Sequence, residues 1–195
     1  MVGRNNDRIV TIAFIIILVI AICAYVYVSI PKSQENIAEK PPQPTYALTI
    51  KCGNTTKSYT LDEIRNMPSV SGYGGYVKKS NVTIGPDLYK GVSVKYLLQN
   101  LSLPENYSIA VIASDGYTKN FSFDVINGNV EIYNESGSYI GVGNVTMILA
   151  YEKNGNPLSE DEGGPLRIAF VSDNNYLTSS SLWIKNVVSI EVKSG

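Results

Sequence analysis

Apolar residues fall in two regimes along this chain. Residues 9–30 form one run of 22 positions with no charge, built from Ile, Val, Ala, Leu and Phe, with Tyr25 and Tyr27 near its end and Pro31-Lys32 closing it. As a helix rising about 1.5 Å per residue, such a run covers roughly 30 Å, the thickness of a bilayer's hydrocarbon core. It is longer than the apolar region of a cleaved signal peptide, so the pattern predicts a retained transmembrane helix. After it, apolar residues recur in short alternating or continuous runs. Tyr46 to Cys52, Ser108 to Ser114, Tyr117 to Phe123, Val145 to Tyr151, Leu166 to Val171 and Leu182 to Val192 read as strands.

Two helices interrupt the strands. Thr60-Leu61-Asp62-Glu63 is a capping box that opens a short helix ending at Pro68. Ser93 stands before Val94, Leu97, Leu98 and Leu101, a helical stripe running to about Asn100. The segment Val70 to Val77 carries three glycines and reads as a weak strand or loop. Gly85-Pro86, Asp115-Gly116 and Asn154-Gly155 read as turns. The predicted class is α+β, a mixed sheet with a few short helices, preceded by the membrane helix. The predicted organisation is a cytoplasmic tail (1–8), the span (9–30), a Pro-rich semi-rigid linker (31–45) and one extracytoplasmic domain (46–195). The stretch 137–143 reads as a pocket lid or a long hairpin.

Composition narrows the chemistry. There is no histidine. That excludes Ser-His-Asp and Cys-His nucleophiles, ordinary zinc enzymes and histidine-ligated haem. The cysteines are Cys23 in the predicted span and Cys52 in the domain, so no intrachain disulfide is expected. Cys52 ends an apolar strand pattern and reads as a small buried hydrophobe. The net charge of -1 gives no electrostatic footprint for nucleic acid. Seven Asn-x-Ser/Thr sequons, at Asn54, Asn81, Asn100, Asn106, Asn120, Asn134 and Asn144, all follow the span. They exceed what the serine and threonine content supplies by chance. They predict a glycosylated domain outside the cell and the N-terminus inside, anchored in the cell membrane by a single pass.

Four segments together carry a family resemblance. They are Thr60-Leu61-Asp62-Glu63-Ile64 with Met67-Pro68; Gly85-Pro86-Asp87-Leu88-Tyr89-Lys90-Gly91-Val92 running into Leu97-Leu98; Ser114-Asp115-Gly116-Tyr117; and Leu149-Ala150-Tyr151 through Asn154-Gly155-Asn156-Pro157-Leu158 to Gly163-Gly164-Pro165-Leu166-Arg167. Trp183-Ile184-Lys185 before Ile190-Glu191-Val192 follows in the same order. This pattern resembles the molybdopterin-binding domain of oxidoreductases of the sulfite-oxidase type. The resemblance implies a pterin-bound molybdenum held between loops, with a cysteine in a Cys-x-x-Asn pattern as the metal thiolate. Here Asn81 holds the Asn place and Lys78 stands where the cysteine would be. Lysine is a poor substitute for a soft thiolate. By the same resemblance Arg167 and Lys185 lie toward the cofactor and suit an anionic pterin phosphate, while Asp115 and Tyr117 line a pocket. Each has a plainer reading: a solvated loop for Lys78, a hairpin turn for Asp115 and Tyr117, a surface arginine and a snorkelling lysine for the others. The acidic stretch Glu160-Asp161-Glu162 is read as a solvated turn ahead of a calcium site.

Three functions follow as alternatives. The favoured one is a membrane-anchored, outward-facing, non-catalytic or small-anion-binding module that keeps the fold and loses the metal ligand. The second is a molybdopterin-dependent oxidoreductase or electron-transfer subunit beside a membrane redox partner. The third is a glycosylated recognition or cell-envelope protein that uses its 14 tyrosines for contacts.

Overall fold

The structure, a computed structural model, describes residues 14–22, 25 and 45–194. The chain divides into two compact units, Met1–Gln43 and Pro44–Gly195.

In the first unit, residues 14–22 and 25 are helical. Here the expected membrane span is corrected. Among the described residues no helix is long and apolar enough to cross a membrane. The continuous described stretch, 14–22, amounts to about 13 Å of helix against a hydrocarbon core of roughly 30 Å. The remainder of the expected span (9–13, 23–24 and 26–30) lies outside the described residues, as do the tail 1–8 and the linker up to residue 44. The membrane anchor is therefore withdrawn. So are the expectations that rested on it: the membrane as partner, the redox partner within it, and the surface, outward-facing localisation. All seven sequon asparagines are exposed. Exposure of polar surface residues does not by itself define a compartment.

The second unit is α+β. Its strands are β1 (Leu48–Cys52), β2 (Thr55–Tyr59), β3 (Val70–Val77), β4 (Thr83–Ser93), β5 (Tyr107–Ala113), β6 (Thr118–Phe121), β7 (Asn129–Tyr133), β8 (Tyr139–Asn144), β9 (Thr146–Lys153), β10 (Asn156–Pro157), β11 (Arg167–Val171), β12 (Leu177–Ser179) and β13 (Val187–Ser194). Its helices are α1 (Leu61–Arg65), α2 (Val94–Leu98) and α3 (Phe123–Ile126). One sheet runs β2-β1-β13-β5-β6. The other runs β10-β9-β4-β3-β12-β7-β8, with β11 added to β9. Two pairings are parallel, β1 with β13 and β3 with β12, so each sheet is mixed. The core gathers inward residues from both sheets, including Leu48, Ile50, Ile109, Phe121, Leu149 and Phe170.

Local chemistry explains most elements. Thr60 accepts from the Glu63 N–H, and the Glu63 carboxylate accepts from the Thr60 N–H at 2.7 Å, which closes the capping box of α1. Ser93 precedes α2 without a side-chain cap. Ser122 caps α3, a short helix at the end of the run read as one strand. Asn154 and Gly155 both have positive φ, as a two-residue primed hairpin turn requires. The stretch 137–143 belongs to the β7–β8 hairpin.

Two segments differ from the sequence expectation for a long-range reason. Val70–Val77 is an interior strand, flanked by β4 and β12. Its glycines are there because a Cβ at Gly74 would meet the Phe170 carbonyl and one at Gly75 the Ile84 carbonyl. Gly85-Pro86 is no turn but lies inside β4, where the register with β3 shifts between Gly74 and Tyr76. That irregularity accommodates a proline, which has no N–H to give to a ladder.

Candidate functional site

Strand β11 is buried along its whole length, and its first residue is charged. Arg167 is 4% exposed and pairs in register with Ala150 of β9. Its guanidinium lies 5.6 Å from the centre of the Tyr89 ring and 5.1 Å from that of Trp183. Trp183 in turn packs on Tyr76 and Tyr89, each with ring centres 5.3 Å away, and donates its indole N–H to Thr178 Oγ1 at 2.8 Å. Arginine cannot shed its proton in a protein, and a buried charge needs compensation. Here the aromatic faces supply part of it. A further part comes from the Glu162 backbone carbonyl, which accepts from Nη1 at 2.7 Å. Arg167 forms no ion pair among the described residues, and its Nε is buried without a hydrogen-bond partner.

The loop that carries Glu162 is held by two more cations. Lys153, at the end of β9, lies 3.1 Å from Asp87 and 3.4 Å from Glu162. Lys185 donates to the Asp161 carbonyl at 2.5 Å. Asn154 ties this region to β4: its Nδ2 donates to Asp87 at 2.9 Å, and its Oδ1 accepts from the Leu88 N–H at 3.0 Å. The electrostatics follow. Hydrogen bonding from the Ser159 N–H, reinforced by Lys153 against a small burial penalty, holds the Glu162 carboxyl below the usual carboxylate range. Burial works to lower the Lys153 ammonium, but its bond to Asp87 and the neighbouring Tyr89, Asp87 and Glu162 outweigh this and raise it. Burial pushes the Tyr89 phenol up, with Arg167 and Lys153 opposing.

Of the six residues expected at the site, the structure brings two together. Arg167 and Lys185 both donate to backbone carbonyls of the loop 159–164. Lys78 and Asn81 lie exposed in the turn between β3 and β4, where the Lys78 N–H donates to the Val82 carbonyl and Asn81 has φ 59. Asp115 and Tyr117 form the β5–β6 turn: Asp115 Oδ1 accepts from the Tyr117 N–H at 2.9 Å, and Tyr117 is 54% exposed. Sequence reasoning missed Tyr89, Lys153 and Glu162 as site members, and used Trp183 only as a family marker. One signal was available, a lone charge at the head of the apolar run 166–171.

These features place the chain in a known class. Residues 33–194 match the oxidoreductase molybdopterin binding domain, and the chain belongs to that family. A solved structure with the same fold is the sulfane dehydrogenase SoxCD from Paracoccus pantotrophus, at 15% identity and a TM-score of 0.55. The match covers 77% of this chain and 38% of that one, so this chain spans well under half of that protein's length. No curated protein matches the sequence.

The donor set decides how far the family's cofactor fits. Cys52, the one described cysteine, ends β1 in the five-stranded sheet and directs its Sγ to the Ser102 carbonyl at 3.6 Å. Arg167 and Tyr89 belong to the other sheet. Among the described residues no group of three His, Cys, Asp or Glu is placed to hold a metal ion. A thiolate-bound molybdenum therefore does not fit the described residues. Phosphate-type recognition needs nitrogen donors, and Arg167, Lys153 and Lys185 are of that kind.

Proposed function

We propose that this domain is an anion-binding member of the molybdopterin-binding family that recognises a phosphate-bearing ligand, of the pterin-phosphate class, without a thiolate-held metal. The observation that carries this is Arg167: a buried guanidinium with an unpartnered Nε and no carboxylate paired with it among the described residues. A buried donor left unmatched costs about 1–3 kcal/mol, and an anion that accepts from it recovers that cost. Lys153 and Lys185 both bond to the same loop, Lys153 to the Glu162 carboxylate and Lys185 to the Asp161 carbonyl, and add positive charge to it. Because Nε is buried, entry of an anion requires a local opening around it. The residues then bind and orient the ligand, and no redox step is assigned to them.

The chain's single tryptophan makes this testable, because Trp183 stacks beside Arg167. The full chain is purified from a host that makes molybdenum cofactor, and its molybdenum, tungsten and pterin contents are measured. Inorganic phosphate is then titrated while Trp183 emission is followed. The proposal expects a saturable emission change, weakened in Lys185→Met, and no stoichiometric metal. Near-stoichiometric molybdenum or tungsten would overturn it, and so would emission indifferent to phosphate.

A further inference from the structure

The loop 158–165 also borders a groove of about 700 Å³ that none of the six expected residues lines. This volume suits a molecule of drug size. Its walls are apolar: Tyr46 and Ala47 ahead of β1, Leu61 of α1, Leu158 and Pro165 of the loop, and Val188 of β13. Val188 is 41% exposed and Tyr46 56% exposed, so this apolar surface stands open.

The polar groups in the groove are not balanced. Glu160 is its one charged lining residue, and Glu160 has no ion pair among the described residues. Neighbouring Lys185 is committed to the Asp161 carbonyl. Asn186 also lines the groove, in a left-handed conformation with φ 52. Its backbone is fully used: its N–H donates to the Gly163 carbonyl at 2.9 Å, and its carbonyl accepts from the Ser114 N–H at 2.8 Å. Its side-chain Oδ1 is buried without a partner. The groove thus offers an apolar body site with a carboxylate, and no cation among its lining residues.

We infer that this groove binds an organic cation: a molecule with an apolar body whose ammonium pairs with the Glu160 carboxylate. Charge complementarity selects the cation. An anionic counterpart of the same shape meets the Glu160 carboxylate, and a neutral one leaves it unpaired. This site is separate from the phosphate site proposed above, and either can fail without the other.

The test uses the full chain and three probes of one shape: phenethylammonium, phenethyl alcohol and 3-phenylpropanoate. Amide NMR shifts of Ser114, Val187 and Val188 report occupancy. The expected result is saturable shifts with phenethylammonium. The expected preference for it over the alcohol is about threefold to fivefold, in line with a single exposed ion pair. That preference disappears in Glu160→Gln, and all binding weakens in Val188→Asp. Both positions are solvent-accessible, so the fold tolerates the changes, and an unchanged far-UV spectrum checks this. Equal binding of the carboxylate probe, a preference that survives Glu160→Gln, or no saturable shift with any probe overturns the inference.

Discussion

Arg167 gives its Nη1 hydrogen to the backbone carbonyl of Glu162 at 2.7 Å, while the carboxylate of Glu162 turns the other way, to Lys153 at 3.4 Å. One residue therefore anchors the loop to two strands, β11 through its backbone and β9 through its side chain.

Arg167→Lys tests the first anchor. Lysine keeps the charge but loses the planar contact with Tyr89 and Trp183 and the fork that reaches the carbonyl. The expected cost is about 1–3 kcal/mol, from a buried acceptor left unmatched. Urea unfolding measures it. Trp183 emission in the folded variant is expected to change as well. A variant as stable as the parent would mean that the guanidinium contributes nothing net.

The second anchor is acid-sensitive. Because the folded Glu162 carboxyl sits below its ordinary value, the unfolded chain takes up that proton first as the pH falls. The stabilisation is fully present above roughly pH 4.3, the ordinary glutamate value, and is lost as the pH drops through the lowered folded value. Glu162→Gln is expected to flatten this part of the stability profile. Denaturation midpoints collected across the acid range, for parent and variant, show whether the slopes differ.

Gly91 offers a packing test. Gly91 lies within β4, and a Cβ there would meet the Leu149 carbonyl and Ala150 of β9. Gly91→Ala must push two interior strands apart. Such overpacking costs about 1–3 kcal/mol, or more where backbone must yield. Gly116→Ala, where an added Cβ meets nothing but φ is 86, is the comparison that isolates backbone strain from crowding. A negligible effect at Gly91 would contradict the observed β4–β9 spacing.

Asn154 separates turn geometry from side-chain bonding. Asn154→Gly keeps the positive φ and loses the bonds to Asp87 and Leu88, whereas Asn154→Ala loses both. Alanine is expected to be the more destabilising of the two, by roughly 1 kcal/mol. Thermal unfolding of the pair decides it; equal midpoints would leave the side-chain bonds as the whole effect.

Much of the fold was legible where the determining interactions are local. The Thr60–Glu63 capping box and the Asn154-Gly155 turn are each specified within a few residues, and the structure forms them. Legibility fails where the cause is remote. Gly72, Gly74 and Gly75 look like loop residues until Phe170, Val171 and Ile84 are seen pressing on their backbones. The candidate site shows the same limit. Arg167 was placed by resemblance, although it also stands as a lone charge in an apolar run. Tyr89, Glu162 and Trp183 meet it from separate parts of the chain, and no spacing rule joins them. Lys78 and Asp115 were placed by resemblance, and a resemblance supplies order along the chain, not convergence in space.

Strand β13 lies between β1 and β5, so the last strand of the chain fills the middle of its sheet. Both neighbours are made much earlier during synthesis. Until residues 187–194 have left the ribosome, β1 and β5 each present an unpaired edge with nothing to close it. This sheet is thus completed only once β13 has been made, and a chain cut before residue 187 is expected to be captured by chaperones or aggregate rather than fold with a frayed end.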